Sequence, residues 1–339
     1  MGLDIGDIVP KEEKRIADFK GKTIAIDAYN TMYQFLAIIR QADGTPLMNR
    51  AGELTSHISG LFYRSINLME DGLKLIYVFD GKPHELKKRT LESRREVKEK
   101  AYEEWKSALE EGDIEHAKSK AQQTSRLTEK MVNSAKRLLE LMGIPYVQAP
   151  SDGEAQAAYM AEKGFASIVA SQDYDSLLFG APALVRNLTI TGRRKLPGKQ
   201  AYVDIHPEYI ELKRVLETNG ISREGLVDLA ILVGTDFNEG IKGIGPKKGL
   251  KLVKEFGNIE KIIEVKKYDI PNYQEIRDIF LKPSVTDDFK LKWSKPDIVG
   301  LRDFLIKDND FSKDRVETTL SRLEKVKNES GQSSLDRWF

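Results

Sequence analysis

The sequence predicts an α/β protein in which helices flank a central, mostly parallel sheet. Three apolar runs support this prediction, each with an Asp at or just past its carboxyl end: residues 23–27, 75–80 and 167–175. Runs of this length, rich in Val and Ile, are typical of strands buried in a parallel sheet. Because ligands of open α/β sheets bind at the carboxyl ends of the strands, the same runs indicate where a functional site lies.

The acidic residues at these strand ends predict a divalent metal site. Two more acidic groups fit the pattern, at 151–154 where a helix opens and at 234–236 after the apolar stretch 226–233. Close carboxylates cannot all stay ionised without cations between them. The alternative is that each Asp only caps a helix or forms a turn, but turn residues have no reason to recur at strand after strand. The candidate metal ligands are Asp27, Asp80, Asp152, Glu154, Asp173, Asp175 and Asp236.

Composition narrows the class of metal and of protein. The chain of 339 residues has no Cys and four His, so oxygen-binding Mg²⁺ or Mn²⁺ suits the site better than zinc. It has no apolar stretch near the roughly 18 residues of a membrane span and no secretory leader. We therefore expect a cytoplasmic protein with one large domain, 1–325, and a flexible tail, 326–339.

Two basic stretches offset this acidic character, although the net charge is only +1. The first spans residues 82–95. The second spans 176–203, contains Arg193 and Arg194, and has the pattern of a basic hairpin. Such stretches can neutralise phosphates, although isolated basic runs are more often solvated surface.

Residues 83–142 contain two long helical patterns, 83–111 and 113–142, separated at Gly112. The first is charged almost all round and poorly suited to a core. An insertion of this kind, at about 83–130, would stand above the metal site as an arch. Lys87 and Arg94 are seven residues apart and lie on one helical face near its base. The alternative is a surface helical hairpin with ordinary salt bridges.

A glycine-rich turn within residues 224–256 predicts a phosphate-binding element between two helices. Gly243 and Gly245 allow close backbone approach. The start of the second helix forms an anion site, to which Lys247 and Lys248 add positive charge. This pattern indicates a helix–hairpin–helix that grips duplex phosphates without reading bases.

Taken together, these motifs resemble the XPG-type structure-specific 5′ nucleases, and most closely the archaeal flap endonucleases. The resemblance covers nearly the whole chain. Its motifs are the MG start, IDA at 26–28, VFDGKP at 78–83, APSDGEA at 149–155, SQDYD at 171–175, GTDFN at 234–238 and GIGPK at 243–247. One departure is Asp152, which stands where the family usually has Glu, so direct metal contact is least secure there.

The resemblance implies roles for individual residues. The seven acids would bind two Mg²⁺ per active site, with Mn²⁺ as a substitute, and Lys87 and Arg94 would be the basic catalytic pair. Tyr33 would stack on a base, Gly2 would contact DNA, and K⁺ would bind at the hairpin around Gly243. The substrate would be branched duplex DNA with a 5′ flap, bent at the junction and with its free 5′ end threaded through the arch. Cleavage would leave a 5′-phosphate and a 3′-hydroxyl, 5′–3′ exonuclease activity would accompany it, and the free protein would be a monomer.

The carboxyl terminus resembles the peptide by which replication proteins bind a PCNA-type sliding clamp. The alternative is an incidental apolar terminus. Trp338 is a mild departure, because family peptides more often end in two phenylalanines. The candidate clamp-binding residues are Gln332, Leu335, Trp338 and Phe339.

Two other classes of function remain open on the sequence. A Mg²⁺-dependent phosphohydrolase of small molecules would also use acids at strand ends and a helical cap, but it leaves the hairpin and the terminal peptide unexplained. A non-catalytic DNA adaptor would use the hairpin and the tail, but the acidic cluster has no missing member. Within the family, 5′-exonucleases and junction-resolving enzymes are the closest alternatives.

Overall fold

The computed structural model describes residues 3–41, 43–190, 192–195 and 202–335. Within these ranges a seven-stranded sheet forms the centre, and a two-stranded hairpin stands apart from it. The strands are β1 Glu12–Glu13, β2 Thr23–Asp27, β3 Lys74–Phe79, β4 Tyr146–Gln148, β5 Ile168–Ala170, β6 Ala183–Arg186, β7 Gly192–Lys195, β8 Tyr202–Ile205 and β9 Glu208–Glu211.

The strand order of the sheet is β1-β9-β6-β5-β2-β3-β4. The five strands from β6 to β4 run parallel, whereas β9 and β1 are antiparallel at the other edge. In the register of the central strands, Ala25 pairs with Ile76 on one side and with Val169 on the other. The three predicted runs are therefore neighbours, and the predicted fold class is confirmed.

Helices cover both faces of the sheet because alternate strand residues point to opposite faces. Ala25, Ile76 and Val169 pack into one core, whereas Ile24 and Leu75 pack into the other. Among the described residues, no helix combines the length and apolar character needed to cross a membrane. The helices are α1 Ala28–Ile38, α2 Ser56–Glu70, α3 Lys88–Glu110, α4 Ile114–Ala121, α5 Glu129–Met142, α6 Gly153–Glu162, α7 Asp175–Leu178, α8 Leu212–Asn219, α9 Arg223–Val233, α10 Pro246–Phe256, α11 Ile259–Lys266, α12 Tyr273–Leu281, α13 Ile298–Arg302 and α14 Lys313–Leu335.

The arch differs from its prediction in two places. Its first helix, α3, begins at Lys88 after a short 3₁₀ turn, Glu85–Lys87, rather than at Pro83. The predicted helix 113–142 is divided into α4 and α5. Tertiary contacts explain this division, because the Arg40 guanidinium donates to Ser125 Oγ at 3.1 Å and the Thr128 side chain caps α5. The predicted break at Gly112 is confirmed by its positive φ of 75°.

The two remaining predicted elements had different outcomes. The basic hairpin is present, since β7 and β8 pair antiparallel. Residues 326–335 of the predicted tail belong to α14, which continues to Leu335, and the flexibility of the tail stays a prediction. This stretch contains no Pro, and its single Gly331 costs a helix only about 1 kcal/mol. Residues 336–339 lie outside the described ranges.

Candidate active site

The first two acids of the cluster stand at the ends of adjacent strands. Asp27 ends β2 and caps α1, where its Oδ1 accepts a hydrogen bond from the Asn30 backbone N–H at 2.9 Å. Asp80 follows β3, and its Oδ1 accepts from the Gly153 N–H at 2.6 Å. A Cβ on Gly153 would lie 2.6 Å from that same oxygen. Glycine is therefore needed there to keep Asp80 at the start of α6.

Helix starts position the next acids. Asp152 caps α6 and accepts from the Glu154 N–H at 3.1 Å. The Glu154 side chain accepts from Ser176 Oγ at 2.9 Å, deep in the protein. Asp175 opens α7 and is 5% exposed. Its buried Oδ1 has no hydrogen-bond partner in the described part of the chain.

The last two acids arrive from loops. Asp173 follows β5, and its Oδ2 accepts from Asn30 Nδ2 at 3.1 Å. Asp236 follows α9 in a loop that folds back on the helix end, where the Ile241 N–H donates to the Leu232 carbonyl at 2.8 Å. Gly240 permits this return, since its φ is 70° and a Cβ there would lie 2.3 Å from the Val233 carbonyl oxygen.

Burial and mutual repulsion hold protons on this cluster. Burial first, and the negative charge of Asp152 second, raise the pKa of Asp80 to about 7. Burial, with Asp236, raises the pKa of Asp175 to about 8. The same causes, burial first and neighbouring carboxylates second, raise the pKa of Asp27, Glu154 and Asp173. The negative charges that raise these pKa values belong to other acids of the cluster, so the predicted acids do meet at one place.

Both predicted basic residues of the arch contact this cluster. The Lys87 ammonium pairs with Asp152 and lies 4.0 Å from Asp236 Oδ2. Burial lowers the pKa of Lys87, but the charge and hydrogen bond of Asp152 outweigh burial and raise it overall. Arg94 pairs with Asp236, and Thr90 Oγ1 donates to the Asp236 carbonyl at 2.8 Å. The base of α3 is thus attached to the acids by charge.

The types of oxygen donor in the cluster suit divalent cations, but the present positions of these donors do not form a closed metal site. Among the described residues, no three acidic or His side chains are arranged to enclose a metal ion. Lys87 and Arg94 explain this, because they already neutralise Asp152 and Asp236. The unpartnered Oδ1 of Asp175 nevertheless marks a buried acceptor that a cation would satisfy. All seven donors are carboxylate oxygens, as Mg²⁺ and Mn²⁺ prefer.

Six of the acids, all except Asp175, form the floor of a cleft of about 890 Å³, and the arch forms a basic wall above them. Lys98 lies over the ring of Tyr33, with Nζ 4.2 Å from the ring centroid. Lys98 and Arg126 line the cleft but were not predicted. The position of Lys98, four residues after Arg94 and so on the same helix face, was the available signal.

The glycine-rich turn is formed as predicted between α9 and α10, but its lysines already have partners. Lys248 Nζ donates to the Gly243 carbonyl at 2.9 Å, and Lys247 Nζ lies 3.2 Å from Asp7 Oδ2. A Cβ on Gly245 would meet nothing within 4 Å, so the backbone there is open to approach.

Several predicted contacts fall where side chains or whole residues are not described. Arg193 and Arg194 lie in β7, opposite Asp204 and Val203 in the register. Gln332 and Leu335 lie in α14. The remaining predicted residues, Gly2, Trp338 and Phe339, lie outside the described ranges.

Comparisons with known proteins agree with this site. The chain matches the XPG N-terminal domain over residues 7–101 and the XPG I-region over residues 143–236. It is 56% identical to flap endonuclease 1 of Thermococcus onnurineus, across 100% of this chain and 99% of that protein. It is 55% identical to flap endonuclease 1 of Pyrococcus furiosus over the same shares. This chain belongs to the flap endonucleases of the XPG family.

Solved structures support the assignment of this flap endonuclease. The flap endonuclease-1 of Methanococcus jannaschii superposes with a TM-score of 0.78 at 46% identity, covering 97% of this chain and 100% of that one. The catalytic core of Rad2 in complex with DNA substrate has a TM-score of 0.70 at 23% identity, over 95% of this chain and 100% of that one, and shows the shared fold alone. The predicted structure-specific 5′ flap endonuclease activity is thus confirmed, and nucleases of this family are metal-dependent.

The close contact at Gly153 generates a prediction. We expect Gly153→Ala to lower the rate of flap cleavage about 10- to 100-fold, because the new methyl displaces the Asp80 carboxylate from its place in the cluster. Single-turnover cleavage of a flap duplex measures this. A double-mutant cycle with Asp80→Asn is the control, since Gly153→Ala should add little once that carboxylate is lost. Fully additive losses would show that Gly153 acts on something other than Asp80.

Proposed function

We propose that this flap endonuclease hydrolyses the phosphodiester at the base of a 5′ flap with two divalent cations held by the carboxylate cluster. One observation carries the proposal: six of the seven acids, from several elements, line the floor of a cleft whose wall supplies Lys87 and Arg94. Acids that only capped helices would not be gathered beneath the cationic ends of Lys87 and Arg94.

The acids divide by their surroundings. Asp27, Asp80, Glu154 and Asp173 each have one oxygen fixed by a hydrogen bond, which orients a carboxylate and leaves its other oxygen for a metal. Asp175 offers an unpartnered oxygen. Mg²⁺ or Mn²⁺ held by these groups would make the attacking water more acidic and would stabilise negative charge on the leaving oxygen. Asp152 and Asp236, now paired with the arch, complete the cluster.

Lys87 and Arg94 have a second role in this proposal. Both side chains point at the cluster from the arch, so a phosphate bound there would lie within their reach. Positive groups placed where charge develops on a transferring phosphate lower the barrier. Their exchange from carboxylate to phosphate partners would make the reaction depend on an ordered arch.

The remaining DNA contacts support branched duplex DNA as the substrate. The start of α10 has an open backbone at Gly245, and β7 contains Arg193 and Arg194. Tyr33, beneath Lys98, remains the candidate for base stacking. A K⁺ ion near Gly243 would take the place that the Lys248 ammonium now holds on that carbonyl. The bent duplex, the threaded 5′ end and the monomeric state stay predictions.

The terminal peptide supports a further partner, a PCNA-type sliding clamp. Apolar anchors on a chain end can fill one pocket while neighbouring residues contribute little. Gln332 and Leu335 fall at the end of α14, so the helix would present or release the peptide that follows it.

Mapping the cleavage site on a 5′-labelled flap duplex with Mg²⁺ tests the proposed reaction. We expect one principal cut near the flap base, which requires the metal and a free 5′ end. A blunt duplex, a bubble and a metal-free sample are the controls, and Asp175→Asn should abolish the cut. Stepwise trimming alone would favour a 5′-exonuclease. No cut on any nucleic acid would favour the adaptor or the small-molecule phosphohydrolase.

The raised pKa values give the metal site a pH dependence. The carboxyls of Asp80 and Asp175, with pKa values of about 7 and about 8, keep protons in the folded metal-free protein at pH values where the unfolded chain has lost them. The metal-free protein therefore loses stability as the pH rises from about 4 to about 8. At the upper end of this pH range fewer protons compete with Mg²⁺ for the carboxylates. We expect Mg²⁺ to raise the unfolding temperature more at about pH 8.5 than at about pH 6. Calorimetry of the protein and of Asp175→Asn, with and without Mg²⁺, measures this. Equal Mg²⁺-induced rises of the unfolding temperature at both pH values would contradict the prediction.

The clamp assignment is tested by the double substitution Trp338→Ala with Phe339→Ala. We expect it to remove the stimulation of flap cleavage by an archaeal PCNA-type clamp, because both apolar anchors are lost. Each variant is compared with its own rate without the clamp. Ser333→Ala is the matched control and should keep the stimulation. Stimulation that survives the double substitution would mean that the clamp binds elsewhere.

A further inference from the structure

A chain of side-chain hydrogen bonds connects the acid cluster to the root of the basic hairpin. Thr189 Oγ1 donates to Gln34 Oε1 at 3.0 Å, and Gln34 Nε2 donates to Asn30 Oδ1 at 2.5 Å. Asn30 Nδ2 then donates to Asp173 Oδ2 at 3.1 Å. Gln34 and Asn30 lie one turn apart on α1, whereas Thr189 lies between β6 and β7. No motif predicted this connection.

The donor and acceptor roles along this series of hydrogen bonds follow from the carboxylate of Asp173 at its end. Asp173 is ionised in the cation-bound state that the proposed function requires, and an ionised carboxylate only accepts hydrogen bonds. In that state Asn30 turns its amide NH₂ to Asp173 and its carbonyl to Gln34. Gln34 must then donate to Asn30 and accept from Thr189. Every bond thus points towards Asp173, an arrangement in which each donor strengthens the next.

Asn30 also holds a second acid of the cluster. Its backbone N–H donates to Asp27 Oδ1 at 2.9 Å while its side chain holds Asp173. One residue therefore fixes the spacing between acids that follow two adjacent strands, β2 and β5. The void beside these hydrogen-bonded side chains measures only about 10 Å³ and is lined by Asn30, Gln34 and Thr189. That is about the room for one water, so neighbouring side chains restrict the movement of the amides.

We propose that Asn30 is a positioning residue, which orients Asp173 for the divalent cation and is itself fixed by Gln34 and Thr189. This inference rests on the proposed function, because it takes Asp173 as a metal ligand. Partners of this kind set the orientation of a ligating carboxylate, and their loss weakens metal binding about 10- to 100-fold.

The test is a Mg²⁺ titration without DNA, followed by thermal unfolding, on the full chain and its variants. Asn30→Leu keeps the side-chain volume but cannot donate, and should raise the half-saturating Mg²⁺ concentration about 10- to 100-fold. Thr189→Val removes only the far donor and should raise it by a smaller factor, about 3-fold. Thr189→Ser keeps a hydroxyl at this position, and its half-saturating Mg²⁺ concentration should equal that of the unsubstituted protein. Flap affinity in EDTA should stay unchanged in Asn30→Leu, which separates metal positioning from DNA binding.

The outcomes separate this inference from the proposed function. If Asp173→Asn weakens the Mg²⁺ response and Asn30→Leu does not, the positioning role is wrong and the metal site stands. If Asp173→Asn leaves the Mg²⁺ response intact, the metal assignment of Asp173 fails, and the inference fails with it. Should Asn30→Leu not fold, Thr189→Val against Thr189→Ser still decides, and equal Mg²⁺ responses of those two variants would overturn the proposal.

Discussion

Repulsion among buried carboxylates is the constraint on which the rest of this structure depends. A parallel sheet brings the ends of β3, β2 and β5 to one edge, so Asp80, Asp27 and Asp173 cannot avoid one another. Each charge must be offset locally, because burial removes the screening that water provides. The protein uses three means: backbone N–H groups at helix starts, retained protons, and the cations of the arch. The arrangement of α1, α6 and α3 around the sheet edge follows from this need.

The two-sided core makes that edge rigid. Ala25, Ile76 and Val169 are fully buried on one face, and Ile24 and Leu75 on the other. Close packing on both faces leaves the strand ends little freedom to separate. The arch has no comparable core, since Val97 and Tyr102 on α3 remain exposed. The acids therefore stand on a rigid sheet edge, whereas the arch is held over them mainly by ion pairs. This combination suits a site whose basic residues must move to admit a substrate before they act on it.

The sequence was sufficient for whatever depends on local pattern. Strand ends, helix caps and the spacing of Lys87 and Arg94 carry their own signals, and from these we predicted that the acids and the basic pair lie together, as they do in the structure. Contacts between distant segments carry none. Asn30 donates to Asp173, which lies far along the chain, and Arg40 divides the predicted arch helix through Ser125. Polar composition suggested a flexible tail from residue 326 and gave no sign that α14 continues to Leu335, because a polar segment without Pro can extend a helix that has already formed.

The ion pairs between arch and floor also make two properties of the protein inseparable. Lys87 and Arg94 belong to the arch, and their partners Asp152 and Asp236 belong to the cluster. A cation that competes for those carboxylates competes with the arch for the same sites. Such linkage is reciprocal. If the ion pairs to the arch lower the affinity of the cluster for a cation by some factor, a bound cation weakens the attachment of the arch by the same factor. The same solution conditions therefore affect both cation binding to the cluster and the ion pairs that hold the arch against it.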